Sequence, residues 1–172
     1  GSEMCIRDSL YSDAINILSE ELRDYSTYFQ ILEAIALGYT KVTEIANYSF
    51  IQAKDVNYYL HTLSKLDIIE RLIPILSQRK SKKGIYRIKD KYFNFWFRFV
   101  SPFQSEIESY FYKNAINNFR KNFNTYLGMV FEDVIIELIK NDVIKFEFEI
   151  NRIGKWWYKD KEIDIVALNE KT

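Results

Sequence analysis

Residues 125–142, TYLGMVFEDVIIELIKND, and 145–169, KFEFEINRIGKWWYKDKEIDIVALN, decide how this chain is read. The first segment has apolar residues at helical spacing, and the second reads as a strand, a Trp-Trp turn and a further strand. The helix is predicted from about Tyr126 to Lys140, with Leu127, Phe131, Val134, Ile135 and Leu138 as its buried stripe. Glu132 lies beside that stripe and Gly128 one turn earlier. A helical glycine costs about 1 kcal/mol relative to alanine, so Gly128 is expected to serve packing or access around the carboxylate. In the strand from Glu162 to Ala167, period-two alternation puts Glu162, Asp164 and Val166 on one face and Ile163, Ile165 and Ala167 on the other.

Three carboxylates, Glu132, Glu162 and Asp164, are thus the constellation that suggests chemistry. Charges flanked by apolar residues are expensive unless compensated, and a hard divalent cation such as Mg²⁺ bound through oxygens would compensate them. Such an ion could activate a water and stabilise a phosphate under attack. The plainer alternative is a solvated edge with Lys159 and Lys161 as salt-bridge partners.

Around this segment the composition sets bounds. A chain of 172 residues suffices for one ordinary domain or two small ones, and 48% apolar with 17% aromatic residues can build real cores. Lys plus Arg and Asp plus Glu both number 24, so any nucleic-acid contact must come from a local basic patch. The one cysteine, Cys5, cannot form an internal disulfide, and no apolar run approaches the roughly 20 residues of a membrane helix. The expectation is a soluble cytoplasmic protein. Gly1-Ser2 reads as a cloning scar and residues 1–9 as a non-native leader, while the stop at Thr172, just after an Ile- and Val-rich strand, reads as a truncation.

From the other end, helices are predicted at Leu10–Arg23 (stripe Tyr11, Ala14, Ile15, Leu18, Leu22), Ser26–Leu37 (ended by Gly38), Val42–Tyr48 and Ala53–Leu66. The strand Ile68–Ile73, closed by Pro74, and its partner Ile85–Ile88 follow. Helices followed by a two-stranded wing with a basic tip are the order of a winged helix-turn-helix domain, placed at residues 10–90. Its recognition helix would present Lys54, Asp55, Asn57, Tyr58, His61, Thr62 and Lys65, a mixed face. The wing places Arg79, Lys80, Lys82 and Lys83 where they could follow a phosphate backbone. Residues 10–90 carry 11 Lys and Arg against 10 Asp and Glu, which leaves a second reading open: a solvated loop on a protein-docking module.

Residues 91–123 form the connector. Its first part, KYFNFWFRFVSPF, holds Phe93, Phe95, Trp96, Phe97, Phe99 and Phe103 with few cations, and reads as a wedge between two domains rather than a base-stacking platform. A helix is predicted over Ser105–Lys113, then a polar connector or exposed helix at Asn114–Asn124, with a second unit over 124–172. Other chemistry is poorly provided for. There is a single histidine, His61, and no Cys/His cluster for zinc, no GxxxxGK loop for ATP, and no nucleophile elbow.

The order of winged helix, SKKGIYRIKDKYFNFWFRFVSP, YLGMVFE and RIGKWWYKDKEIDIVALN resembles the C-terminal region of archaeal-type AAA+ ATPases, over nearly everything from Leu10 onward. The resemblance implies an α+β, mainly helical chain: a winged helix-turn-helix domain followed by an incomplete PD-(D/E)xK nuclease-like α/β unit. It implies Glu132 as the helix acid and Asp164, with Glu162, as the strand acids that bind Mg²⁺ in the complete domain. The acid-x-Lys half-motif would lie beyond Thr172, so the chain is expected to hold no cofactor and to be catalytically silent. Expected partners are double-stranded DNA, the ATPase module of the full-length protein, and a second copy pairing along the exposed edge of Glu162–Leu168.

Overall fold

The computed structural model describes residues 13–20, 22, 24–78 and 81–169, and is α+β and mainly helical. The leader at 1–9, the flanks of the first helix, and Arg79 and Lys80 lie outside the described residues. The chain divides into two compact units, one of residues 1–71 with 86–121 and one of 72–85 with 122–172.

The first unit opens with α1 (residues 13–20), followed by α2 (Tyr25–Ala36), α3 (Val42–Tyr48) and α4 (Ala53–Lys65). Apolar residues three and four apart turn one face of each helix inward: Ala14 and Leu18 on α1, Ile31, Leu32 and Ile35 on α2, Ile45 on α3, Val56, Leu60 and Leu63 on α4. Gly38 ends α2 as expected, at φ +98°, a conformation that disfavours any side chain. The Gly38 N–H donates to Ile35 O (3.1 Å) and the Tyr39 N–H to Ala34 O (3.0 Å), so two orphan carbonyls of the helix end are satisfied. Glu44 starts α3 by accepting from the Thr40 and Lys41 amides, each at 3.1 Å.

β1 (Ile69–Leu72) and β2 (Ile85–Ile88) form a two-stranded sheet. Arg87 donates to Glu70 at 2.7 Å and Lys89 to Asp67 at 2.6 Å, and the Tyr86 amide donates to Thr40 O at 2.8 Å.

The aromatic stretch departs from the expected wedge between two domains. It is α5 (Lys91–Phe99), capped by the Asp90 carboxylate on the Phe93 amide at 2.9 Å, and it supplies the core of the first unit. Phe93, Trp96 and Phe97 are buried in one cluster with the α1–α4 residues, and Phe29 of α2 meets Trp96 and Phe97 edge-on at 5.6 and 4.9 Å. The helical repeat puts these rings on one face, and burying that face completes the core of α1–α4. Asn94 is buried beside them with both ends of its amide used: it donates to Ile88 O (3.0 Å) and accepts from Arg98 Nε (2.7 Å).

After a 3₁₀ turn (Ser101–Phe103), α6 is short (Gln104–Glu108) and does not reach Lys113 as predicted; Tyr110, at φ +63°, breaks it. The 28-residue helix α7 (Lys113–Lys140) then takes in both the asparagine-rich connector and the predicted Tyr126–Lys140 helix. Asparagine disfavours a helix by only about half a kcal/mol per residue. Within the first unit α7 is fixed by Asn118, which donates to Arg98 O at 3.1 Å, and by Phe119 against Phe99 at 5.3 Å.

In the second unit β3 (Arg152–Tyr158) and β4 (Lys161–Leu168) pair antiparallel. The two tryptophans lie inside β3, and the turn is Lys159-Asp160, with Lys159 at φ +54°. KFEFEI (145–150) is not a strand: its alternation fits one, but a strand needs a hydrogen-bonded neighbour and this sheet is β3–β4 alone. The predicted stripe of α7 is also not buried, since Leu127, Phe131 and Val134 are exposed. A Cβ on Gly128 would meet nothing within 4 Å, so that glycine has no packing role. Among the described residues of this unit only Pro74, Ile75 and Ile139 are buried.

Candidate functional site

The second unit brings the three sequence-selected carboxylates to one lysine. Lys155, on β3, makes a short ion pair with Glu132 of α7 and lies 4.0 Å from Glu162 and 3.9 Å from Asp164 on β4. The lysine and Glu132 are mostly buried, at 14% and 21% side-chain exposure, whereas Glu162 and Asp164 remain 59% and 62% exposed.

Strand register explains the convergence. Trp156 pairs with Ile163 and Gly154 with Val166, so one residue of β3, Lys155, stands opposite two of β4, Asp164 and Ile165. This is a β-bulge, which re-aims side chains and increases local twist. Strict alternation along Glu162–Ala167 therefore does not run through the strand, but Glu162 and Asp164 both reach the same ammonium. The free side of β3 is held as well: the Ile75 amide donates to Lys155 O at 2.8 Å, and the Ile75 side chain lies beside Gly154, at ordinary contact distance (3.6 Å) from where a Cβ would stand.

One ammonium facing three carboxylates leaves a local excess of negative charge. Among the described residues no group of three histidine, cysteine or acidic side chains converges closely enough to hold a metal ion. The cation that these acids face is the ammonium of Lys155. It is not Lys159, which stands 5.5 Å from the centre of the Tyr158 ring. Reading Trp156-Trp157 as a turn hid Lys155. Extending the strand through both tryptophans puts Gly154-Lys155-Trp156 across from Asp164, and that was the available signal.

The second group of candidate residues lies on α4 and the loop between β1 and β2. Lys54, Asp55, Asn57, Tyr58, His61 and Lys65 are exposed along α4, and Thr62 is half-buried with its hydroxyl donating to Tyr58 O at 3.1 Å. In the loop between β1 and β2, Lys82 and Lys83 are both exposed, and the Lys83 ammonium stands 4.9 Å from the centre of the Tyr158 ring. The wing lysines and the α4 residues belong to different units.

Residues 96–172 match the model of the family DUF234, described as archaeal and bacterial proteins of unknown function. The chain is also similar to an uncharacterized protein of Methanocaldococcus jannaschii, 40% identical over 156 residues, which cover 90% of this chain and 35% of that protein. The chain thus spans about a third of the length of the curated relative it matches. No solved structure matches it. No described helix is long and apolar enough to cross a membrane.

Proposed function

We propose that this chain is a DNA-contacting regulatory region of an archaeal-type AAA+ ATPase: a winged helix that reaches duplex DNA through α4 and the β1–β2 wing, joined to a PD-(D/E)xK nuclease-like unit. The observation that carries this reading is the exposed outer face of α4. Lys54 and Lys65 can neutralise phosphates there, while Asn57, Tyr58 and His61 offer the donors, acceptors and ring faces that read base edges. The length of the Methanocaldococcus relative, most of which lies outside the match, leaves room in such proteins for a further module. The reading places the protein in the cytoplasm and assigns no catalysis to the nuclease-like unit of this chain. Asp164 and Glu162 would be its metal-binding acids and Glu132 the helix acid, yet all three face Lys155.

The test is fluorescence anisotropy of a labelled duplex at several salt concentrations, with the wild-type chain and with Arg79, Lys80, Lys82 and Lys83 changed together to alanine. Each phosphate contact contributes about 0.9 to the slope of log affinity against log salt. The wing variant should flatten that slope by up to about 3.6, and changing Lys54 and Lys65 to alanine by up to about 1.8. No salt-sensitive binding at low salt would overturn the reading.

A second reading is favoured by the near balance of charge over residues 10–90, 11 Lys and Arg against 10 Asp and Glu. Here the winged helix docks and regulates the ATPase module without touching nucleic acid. A pull-down by the isolated ATPase module, together with silent anisotropy, would decide for it.

A further inference from the structure

We infer that residues 144–150, IKFEFEI, are a self-recognition strand: two copies of this chain pair antiparallel along it, about a two-fold axis at Glu147. The pairing is independent of any DNA contact, because every residue in it belongs to the second unit. The backbone supplies the first observation. Among the described residues, no amide or carbonyl of residues 145–150 is hydrogen-bonded to another backbone group, whereas the Ile144 amide before them donates to Leu138 O (3.3 Å) and the Asn151 amide after them to Leu168 O (3.1 Å). The whole stretch thus lies between two fixed ends with free donors and acceptors, which is what a strand edge offers a partner.

The side chains supply the second. Lys145, Phe146, Glu147, Phe148 and Glu149 are all exposed, Phe146 at 45% and Phe148 at 49%. Even positions hold Ile144, Phe146, Phe148 and Ile150, and odd ones Lys145, Glu147 and Glu149, so an extended backbone would have one apolar and one charged face. The rings of Phe146 and Phe148 already meet at 5.8 Å, as neighbours two apart on one strand face do. Bends at 147 and 148 keep the segment from running straight in the single chain, where no neighbouring strand holds it extended.

Charge selects the partner and the register. Antiparallel pairing about Glu147 sets Lys145 opposite Glu149 of the second copy, twice by symmetry, with Phe146 opposite Phe148 and Ile144 opposite Ile150. One like-charged pair remains, Glu147 with its own copy. Parallel in-register pairing would set each of the three charged residues against itself, and the antiparallel register about Phe148 would set Glu147 against Glu149 twice. The register about Phe146 matches Lys145 with Glu147 but needs the backbone of Val143 and Ile144, whose amides are committed to Leu138 O at 3.0 and 3.3 Å. The register about Glu147 can draw its hydrogen bonds from residues 145–149, all free. None of Lys145, Glu147 and Glu149 has an ion-pair partner among the described residues, so their charges are available to a second copy.

The test is sedimentation equilibrium of the full chain over a concentration series. Lys145→Glu and Glu149→Lys each turn two attractive pairs into repulsive ones. An opposite-charge pair across strands is worth about 1.4- to 5-fold in an association constant, so losing two weakens association about two- to thirty-fold, and the like charges that replace them weaken it further. The double variant Lys145→Glu/Glu149→Lys rebuilds both pairs and should return association to the wild-type value. Glu147→Gln removes the one repulsion and should tighten association about 1.4- to 5-fold. All three positions are exposed, so the substitutions leave folding intact, and all lie outside β4, so pairing along that strand would not respond to them. Hydrogen exchange gives a second readout: amides of residues 145–149 should be unprotected in dilute protein and gain protection as concentration rises. A chain that stays monomeric to millimolar concentration, a double variant no stronger than either single one, or exchange at 145–149 that ignores concentration overturns the inference.

Discussion

Replacing Lys155 by methionine keeps the apolar stem and removes the one cation facing Glu132, Glu162 and Asp164. Glu162 and Asp164 are more than half exposed and stand about one bond length beyond contact, so solvent screening leaves each worth only tenths of a kcal/mol. Glu132 is different, because its side chain is 21% exposed and that of Lys155 is 14%. Breaking a fully buried pair costs about 3–5 kcal/mol, and an exposed one at most about 1. The partial burial here places the loss at about 2–3 kcal/mol. The assay is hydrogen exchange read by mass spectrometry on peptides covering 152–168, which reports opening of the β3–β4 hairpin separately from the first unit. A loss of this size means roughly 30- to 150-fold faster exchange where opening is at equilibrium. Glu132→Gln should give a loss of the same order, and the double variant should be far less than additive. Molar salt should recover little of it, since the mostly buried pair is weakly screened. Additive losses, or a Lys155→Met hairpin that exchanges like wild type, would refute the assignment of this lysine as the charge that holds the strand and helix together.

Three further outcomes are expected. Asn94→Ala removes the hydrogen bonds to Ile88 O and from Arg98, and should cost about 1–3 kcal/mol in urea unfolding, against near-neutral Asn117→Ala on the exposed side of α7. The hydrogen bond to Asp67, acting against some desolvation, raises the pKa of Lys89 above its ordinary 10.5. A raised lysine stabilises the fold fully below the unfolded value and loses its contribution as pH climbs through the folded one. The difference in melting temperature between wild type and Lys89→Met should accordingly hold at pH 9 and shrink above about pH 10.5, and an unchanged difference at pH 12 would refute the pair. The expected second copy along β4 should appear as concentration-dependent mass in light scattering; Ile165→Pro, which removes an N–H and strains the strand, should reduce it, and a monomer at millimolar concentration would refute it.

How much of this was written in the sequence depends on what each residue packs against. The α2–α4 helices and both strands of the first hairpin were legible because their apolar spacing matches a core that exists, and Gly38 stops α2 where a left-handed residue is needed. α5 was misread as a wedge because few cations interleave its aromatic rings, which argues against base stacking but does not say which core the rings fill. The edge-on contacts of Phe29 with Trp96 and Phe97 show that they fill the first unit. The second unit failed differently. Leu127, Phe131 and Val134 have helical spacing yet stay exposed, because spacing reports which residues could share a face and not whether anything covers it. Residues 145–150 likewise alternate without a strand to pair with. The carboxylates were found from their residue types, whereas Lys155 depended on a bulge, and a bulge leaves no mark in composition.

The contact between residues 75 and 155 bears on how the hairpin finds its pairing. A lone two-stranded ribbon is marginal in water, and a slip of one position would turn every side chain to the opposite face. Ile75 acts as a ruler laid along β3 from outside: its amide reaches the Lys155 carbonyl, and its side chain lies beside Gly154, where an added Cβ would stand in ordinary contact at 3.6 Å. A slip of β3 past Ile75 loses both at once. Because Ile75 stands so far back along the chain, this contact closes a much longer loop than the Lys159-Asp160 turn does, and costs more chain entropy to make.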